Sequence, residues 1–214
     1  MEAYTSFARV YDTFMEYTTK AYASVKSPLE LSFIPIHPGD ILSYGGYHFE
    51  VKLLRGHTFG QCGLYEPEKK LMFVGDQLMT TIVPIVGTQE TDLGMLKCYL
   101  NSLGDLKHNY KDCYFLPCHY GEIKNVEKEV NRIILGYLEK CEIMKHVLEE
   151  AGTALTTRDI GVRTYGRSQG PPDYAHFASC TQIWAKTFSC MEYMMGEGFV
   201  ERSERDGIIY WKAI

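Results

Sequence analysis

The sequence predicts a mixed α/β chain of the α+β kind. Three patterns point there. Apolar residues alternate at period two from Ile41 to Val74, they recur every three or four residues from Leu93 to Ala151, and a helix–helix–hairpin outline closes the chain.

The opening segment reads as a helix, because Tyr4, Phe7, Tyr11, Phe14, Thr18 and Tyr22 share one helical stripe. Lys26-Ser27-Pro28 should end it, which marks 1–27 as an N-terminal aromatic helix. Around Tyr47–Leu53 one strand face would carry Tyr47, Phe49, Val51 and Leu53, and the other His48, Glu50 and Lys52. Gly45-Gly46 is a two-residue hairpin signal. A second hairpin is expected from Cys62–Tyr65 and Lys70–Val74 around Glu66-Pro67-Glu68-Lys69. Leu93, Leu96, Leu100, Leu103 and Leu106 predict a helix, and Cys113–Leu116 a short strand stopped by Pro117.

A long amphipathic helix should run from about Asn125 to Ala151. Val130, Ile133, Ile134, Tyr137, Leu138, Cys141 and Leu148 would face inward, and Gly152 would end it. The texture changes there, so 28–151 and 152–214 are read as separate domains. In the second, Thr156 or Thr157 caps a short helix. A helix from Tyr174 to Met195 would bury Phe177, Trp184, Phe188 and Met191, and a hairpin turns at Glu204–Gly207. That is the outline of a winged-helix-like domain.

Composition narrows the function classes. The 214 residues are 45% hydrophobic and 23% charged, as in ordinary globular proteins. The formal charge of −5 argues against a broad nucleic-acid-binding face, which has to be cationic. The winged-helix-like segment is itself neutral, with seven Lys or Arg against seven Asp or Glu, so it is read as a packing or oligomerisation element. No apolar run approaches the ~20 residues that span a bilayer. Seven cysteines without close spacing suggest free thiols in a reducing compartment, so the chain is expected to be cytoplasmic.

Three stretches carry the chemistry: His57-Thr58-Phe59-Gly60-Gln61, Val74-Gly75-Asp76 and Pro117-Cys118-His119. In this order they resemble the second half of metallo-β-lactamase-superfamily hydrolases, where strands end in H-T-P-G-H, S-G-D and P-G-H. The resemblance implies half of an αββα sandwich followed by the winged-helix-like domain. It also implies zinc or iron at the strand ends, where a metal-bound water ionises near neutral pH and attacks an ester- or thioester-type bond. By position, Asp76 matches a carboxylate that bridges two ions and His119 the last metal-binding histidine. His57 falls where the family generally has no ligand, and is read as a packing or hydrogen-bonding residue. Cys62 and Cys118 flank the same region and are read as inert. A shorter resemblance, Tyr4–Met15 to the leader of class I S-adenosylmethionine-dependent methyltransferases, stops before any glycine-rich loop.

The departures from the family pattern are as informative. The motif H-x-H-x-D-H, which supplies most of the family's ligands, does not occur in these residues, and the ligand position of H-T-P-G-H is Gln61. A neutral amide is a poor zinc donor beside imidazole, and a catalytic zinc normally takes three protein ligands plus water. The expected function is therefore a truncated or degenerate metal-dependent hydrolase of this superfamily, inactive as this chain alone. Asp76 and His119 would be its remaining metal residues and Gln61 a substituted ligand position. The alternative is a non-catalytic scaffold or interaction protein that kept the fold and lost the metals. The cofactor would be zinc or iron by resemblance, or none. The partners would be a small-molecule substrate if active, and a second copy or a chain carrying the missing half, with no nucleic acid and no membrane.

Overall fold

The computed structural model describes residues 34–87, 94–166 and 174–214, with side chains from 182 onward in the last segment. The expected aromatic helix, the methyltransferase-like leader and the Phe177 side chain lie outside what is described.

Five strands form one sheet in chain order: β1 Ile41–Tyr44, β2 Tyr47–Leu53, β3 Cys62–Glu66, β4 Leu71–Gly75 and β5 Tyr114–Pro117. The first four pair antiparallel. Gly45 and Gly46 turn β1 into β2 with φ of 58° and 83°, the left-handed pair a tight hairpin needs. β4 and β5 are parallel, with Met72 opposite Phe115 and Gly75 opposite Pro117. A parallel pair requires a crossover, and helix α1, Met95–Asn109, is part of it.

Helix α2, Val126–Ala151, starts where the Asn125 side chain accepts from the Lys128 N–H, and ends on a left-handed Gly152. Its buried stripe is Val130, Ile133, Tyr137, Cys141, Met144 and Leu148. Ile134 is half-buried against the core, whereas Leu138 is exposed, contrary to the inward placement expected. At 3.6 residues per turn the buried stripe follows the 130–133–137–141–144–148 line, and positions 134 and 138 fall at its margin.

Beyond Gly152 come β6 Leu155–Thr156, α3 Thr157–Tyr165, α4 Tyr174–Gly196, β7 Val200–Arg205 and β8 Ile208–Ala213. The three strands make a small antiparallel sheet in the order β6-β8-β7. Trp211 is fully buried there, donating its indole N–H to Thr157 Oγ1 at 2.9 Å. Trp184, expected inside, is exposed. Buried residues on both sides of Gly152, from Met72, Phe115 and Ile133 to Ile160, Met191 and Trp211, form one continuous core.

The two faces of the large sheet differ. Met72, Val74 and Phe115 are buried in the cluster that also contains Leu96, Tyr99, Leu103 and Ile133 of the helices. On the other face Val51, Leu64, Phe73 and Leu116 align in register across four strands. Val51 is fully buried, whereas Phe49, Leu64, Phe73 and Leu116 are only half-buried. Tyr47, Leu53 and Tyr114 are exposed. Rings hold this apolar face together: Tyr47 stacks on Phe49, which meets Phe73 edge-on.

Candidate metal centre

Because β4 and β5 are adjacent and parallel, the residues after them emerge at the same edge of the sheet. Asp76 follows β4 and His119 follows β5. The Cys118 N–H donates to the Gly75 carbonyl at 3.1 Å and locks the two strand ends together. The His119 Nε2 lies 3.4 Å from Asp76 Oδ1. Immediately after His119 the chain turns through Tyr120 and Gly121, with φ of 68° and 77°. A positive φ at a tyrosine is an uncommon backbone state of the kind that gathers at functional sites.

Asp76 is the unusual group. Its residue is 9% exposed, and Oδ1 is buried with no hydrogen-bond partner. Its other oxygen faces a residue read from sequence only as packing or hydrogen bonding: His57 Nε2 stands 3.5 Å from Asp76 Oδ2. His57 does hydrogen-bond as expected, through Nδ1 to the Ile85 carbonyl at 2.8 Å, but its second nitrogen points into the site. The available signal is its place in the same strand-end motif as Gln61.

Gln61 is buried beside these residues but its amide is engaged with backbone. Nε2 donates to the Val74 carbonyl at 3.4 Å and to the Cys62 carbonyl at 3.5 Å. It lies over Gly75, whose φ is 56° and where an added Cβ would meet Gln61 Nε2 at 2.3 Å. Cys62 donates its thiol to the Gly60 carbonyl, and burial pushes that thiol's pKa up, away from the thiolate a metal takes.

The segment from Gln77 to Gly87 holds the floor of the site with no strand or helix of its own. Side chains from four directions satisfy its carbonyls. Tyr99 donates to Gln77, Arg132 to Met79 and Ile82, Lys186 to Val83, Tyr137 to Pro84 and His57 to Ile85. Lys186, the one lysine of α4, is therefore turned inward, and burial lowers its pKa. Gln77 is fully buried and fastens the other wall by donating to the Arg55 carbonyl and Ser102 Oγ.

An orphaned buried carboxylate oxygen flanked by imidazole nitrogens fits a cation. The fit is partial, because no three His, Cys, Asp or Glu donors converge on one point among the described residues. A catalytic zinc normally takes three protein ligands plus water.

No family model matches the sequence. Over 40 residues, 19% of this chain and 19% of the relative, it is 50% identical to the hydroxyacylglutathione hydrolase GloC of Haemophilus influenzae. Its structure is similar to that of a metallo-β-lactamase family protein from Thermus thermophilus, with a TM-score of 0.70 and 21% identity over 96% of this chain and 67% of that one. A β-lactamase domain protein from Burkholderia ambifaria gives a TM-score of 0.72 and 18% identity over 86% of this chain and 53% of that one. The chain thus spans between about half and two thirds of these neighbours, and its fold is that of the metallo-β-lactamase proteins.

Proposed function

We propose that this chain, with its metallo-β-lactamase fold, is a degenerate metal-dependent hydrolase of that superfamily that does not turn over substrate by itself. The observation that carries the reading is Asp76: a buried carboxylate with one oxygen that has no hydrogen-bond partner and lies 3.4 Å from the Nε2 of His119. A carboxylate is left so only where a positive partner offsets its desolvation. Zinc or iron is the partner we assign, held by Asp76 and His119. When bound, such an ion polarises a scissile carbonyl and ionises a water.

This chain's own residues position that chemistry. His119 is half-exposed and opens the site to a small-molecule ester or thioester, while the fixed Gln77–Gly87 segment excludes water from behind. The set of protein donors is too small for turnover, and the missing ones would come from a second chain: another copy, or one carrying an H-x-H-x-D-H motif. The free thiols among the described residues support a reducing, cytoplasmic setting. Among those residues no helix is long and apolar enough to cross a membrane.

The test is metal content after gentle purification, followed by assay with added zinc, manganese or iron against generic ester and thioester substrates. We expect bound metal and no turnover. Turnover that disappears in Asp76→Ala would refute the silence, and metal-free protein that takes up none of the three ions would refute the metal reading.

A further inference from the structure

We infer that Arg55, stacked on Phe59, is an anion-binding subsite at the rim of the Asp76–His119 centre, so that the ester or thioester taken there carries an oxyanionic group, a carboxylate or a phosphate. Naming the bound anion as substrate rests on the hydrolase reading above; the subsite itself needs no metal.

The first observation is where Arg55 is held. Strands β2, β4 and β5 run in the same direction, so the loop after β2 opens at the sheet edge where Asp76 and His119 emerge. Gln77, fully buried and next to Asp76, straps that loop. Its Nε2 donates to the Arg55 carbonyl at 3.2 Å, and its Oε1 accepts from the His57 N–H at 3.4 Å. Between them the Gly56 carbonyl accepts from the Gly87 N–H at 2.9 Å. The backbone at 55–57 is therefore fixed. Arg55 lies two residues, at most about 7 Å of chain, before His57, whose Nε2 is 3.5 Å from Asp76 Oδ2.

The second is the state of the guanidinium. Its central carbon stands 4.6 Å from the centroid of the Phe59 ring, inside the ~6 Å of a cation–π contact. The stack occupies the flat face of the group and leaves its N–H donors, which lie in the plane, turned outward. Among the described residues no carboxylate pairs with them. Arg132, also bound to the site's walls, is the contrast. Its Nε donates to Glu129 and its Nη2 to the Met79 and Ile82 carbonyls, so it is committed to the fold.

The third is Phe59 itself. It is 45% exposed and takes no part in the core, so its ring serves as a platform for Arg55. A guanidinium restrained on an aromatic face is weakly hydrated and presents its fork ready-made. It can grip a carboxylate or phosphate through two parallel N–H···O bonds with little further ordering. An anion gripped there leaves the uncharged part of the molecule to reach the Asp76–His119 centre.

The experiment titrates the full chain, stripped with a chelator, with phenylacetate, phenyl phosphate and the neutral phenylacetamide. Binding is followed by NMR at the Arg55 Nε–H and the Phe59 backbone N–H, and zinc uptake is measured separately on the same preparation. We expect both anions to shift these signals and phenylacetamide to bind at least about tenfold more weakly; the tighter of the two anions identifies the group. Arg55 is exposed, so its variants should fold. Arg55→Ala should lose about tenfold or more in affinity for the anions, and Arg55→Lys, which keeps the charge without the fork, should restore only part of it. Lys111→Ala removes the same charge at the opposite end of β5 and should bind like the wild type. Equal binding of phenylacetamide and the anions, or equal binding by Arg55→Ala and Lys111→Ala, overturns the inference. A chain that takes up zinc but shows no Arg55-dependent anion binding overturns it and leaves the hydrolase reading standing. Arg55-dependent anion binding by a chain that takes up no metal supports the subsite and overturns the metal reading instead.

Discussion

Gly56 sits one residue before His57 and is the tightest glycine among the described residues. Its φ is 151°, a conformation that L side chains rarely adopt, and a Cβ there would lie 2.2 Å from Cδ2 and 2.6 Å from Cβ of Tyr99. Tyr99 has little room to retreat. It is fully buried, its hydroxyl donates to the Gln77 carbonyl at 2.8 Å, and its ring meets Tyr137 edge-on. Overpacking a filled core costs about 1–3 kcal/mol, and a side chain in a glycine-only backbone region costs about 1–3 kcal/mol more. Gly56→Ala should therefore destabilise by about 2–6 kcal/mol. At about 2–4 °C per kcal/mol for a chain of this size, its Tm should fall by at least about 4 °C in thermal unfolding followed by circular dichroism. Gly60→Ala is the control, because Gly60 has no atom within 4 Å of an added Cβ and no positive φ; it should change Tm by less than about 2 °C. Equal Tm values for the two variants would refute the packing argument and the claim that Tyr99 fixes the backbone leading into His57.

The remaining predictions concern charge and the bare face of the sheet. Without metal, Asp76→Asn should raise stability by about 1–2 kcal/mol in urea unfolding, because it removes a buried charge with an orphan oxygen; with metal added the order should reverse, since only the wild type gains binding energy, and an unchanged order would argue against a metal role for Asp76. Burial lowers the pKa of Lys186 from 10.5, so between its folded and unfolded values the unfolded chain holds more protons and this lysine's contribution rises with pH; Lys186→Met should flatten that slope. Burial raises the pKa of Tyr99, Tyr137 and Tyr165 above 10.0, so the stability they carry is complete below that value and is lost as pH climbs beyond it, read as a steep alkaline transition in tyrosinate absorbance. The face bearing Tyr47, Phe49, Leu53 and Phe73 should drive association, and light scattering should find dimers or larger species that Phe49→Lys weakens; a stable monomer would contradict this.

What is legible in the sequence follows from how far each contact reaches. Gly45-Gly46 and the Asn125 and Gly152 ends of α2 act over a few residues, and the sequence predicts them closely. Asp76 and His119 are reached through strand-end motifs. Their proximity follows from one long-range fact no local pattern carries, the parallel pairing of β4 with β5. The two-residue β6 is too short to leave a signal and exists through its pairing with β8. Trp184 is expected inside because aromatic residues usually are, and one large residue does not decide which face of a helix is buried.

The Gln77–Gly87 segment shows why the site itself is only half readable. It has no periodicity, and its carbonyls are held by residues as distant in sequence as Tyr137 and Lys186. Those donors look like ordinary core and surface residues in isolation. Lys186 counts as one positive charge when surface charge is tallied, yet its ammonium is turned to the Val83 carbonyl. The same limit applies to His57. As a letter in a motif it reads only as a packing or hydrogen-bonding residue. Its direction depends on the Ile85 carbonyl, which is in place only once α1, α2 and α4 have packed around the segment. A side chain's chemistry at this site is thus set by the partner of its far nitrogen, and that partner arrives with the tertiary fold.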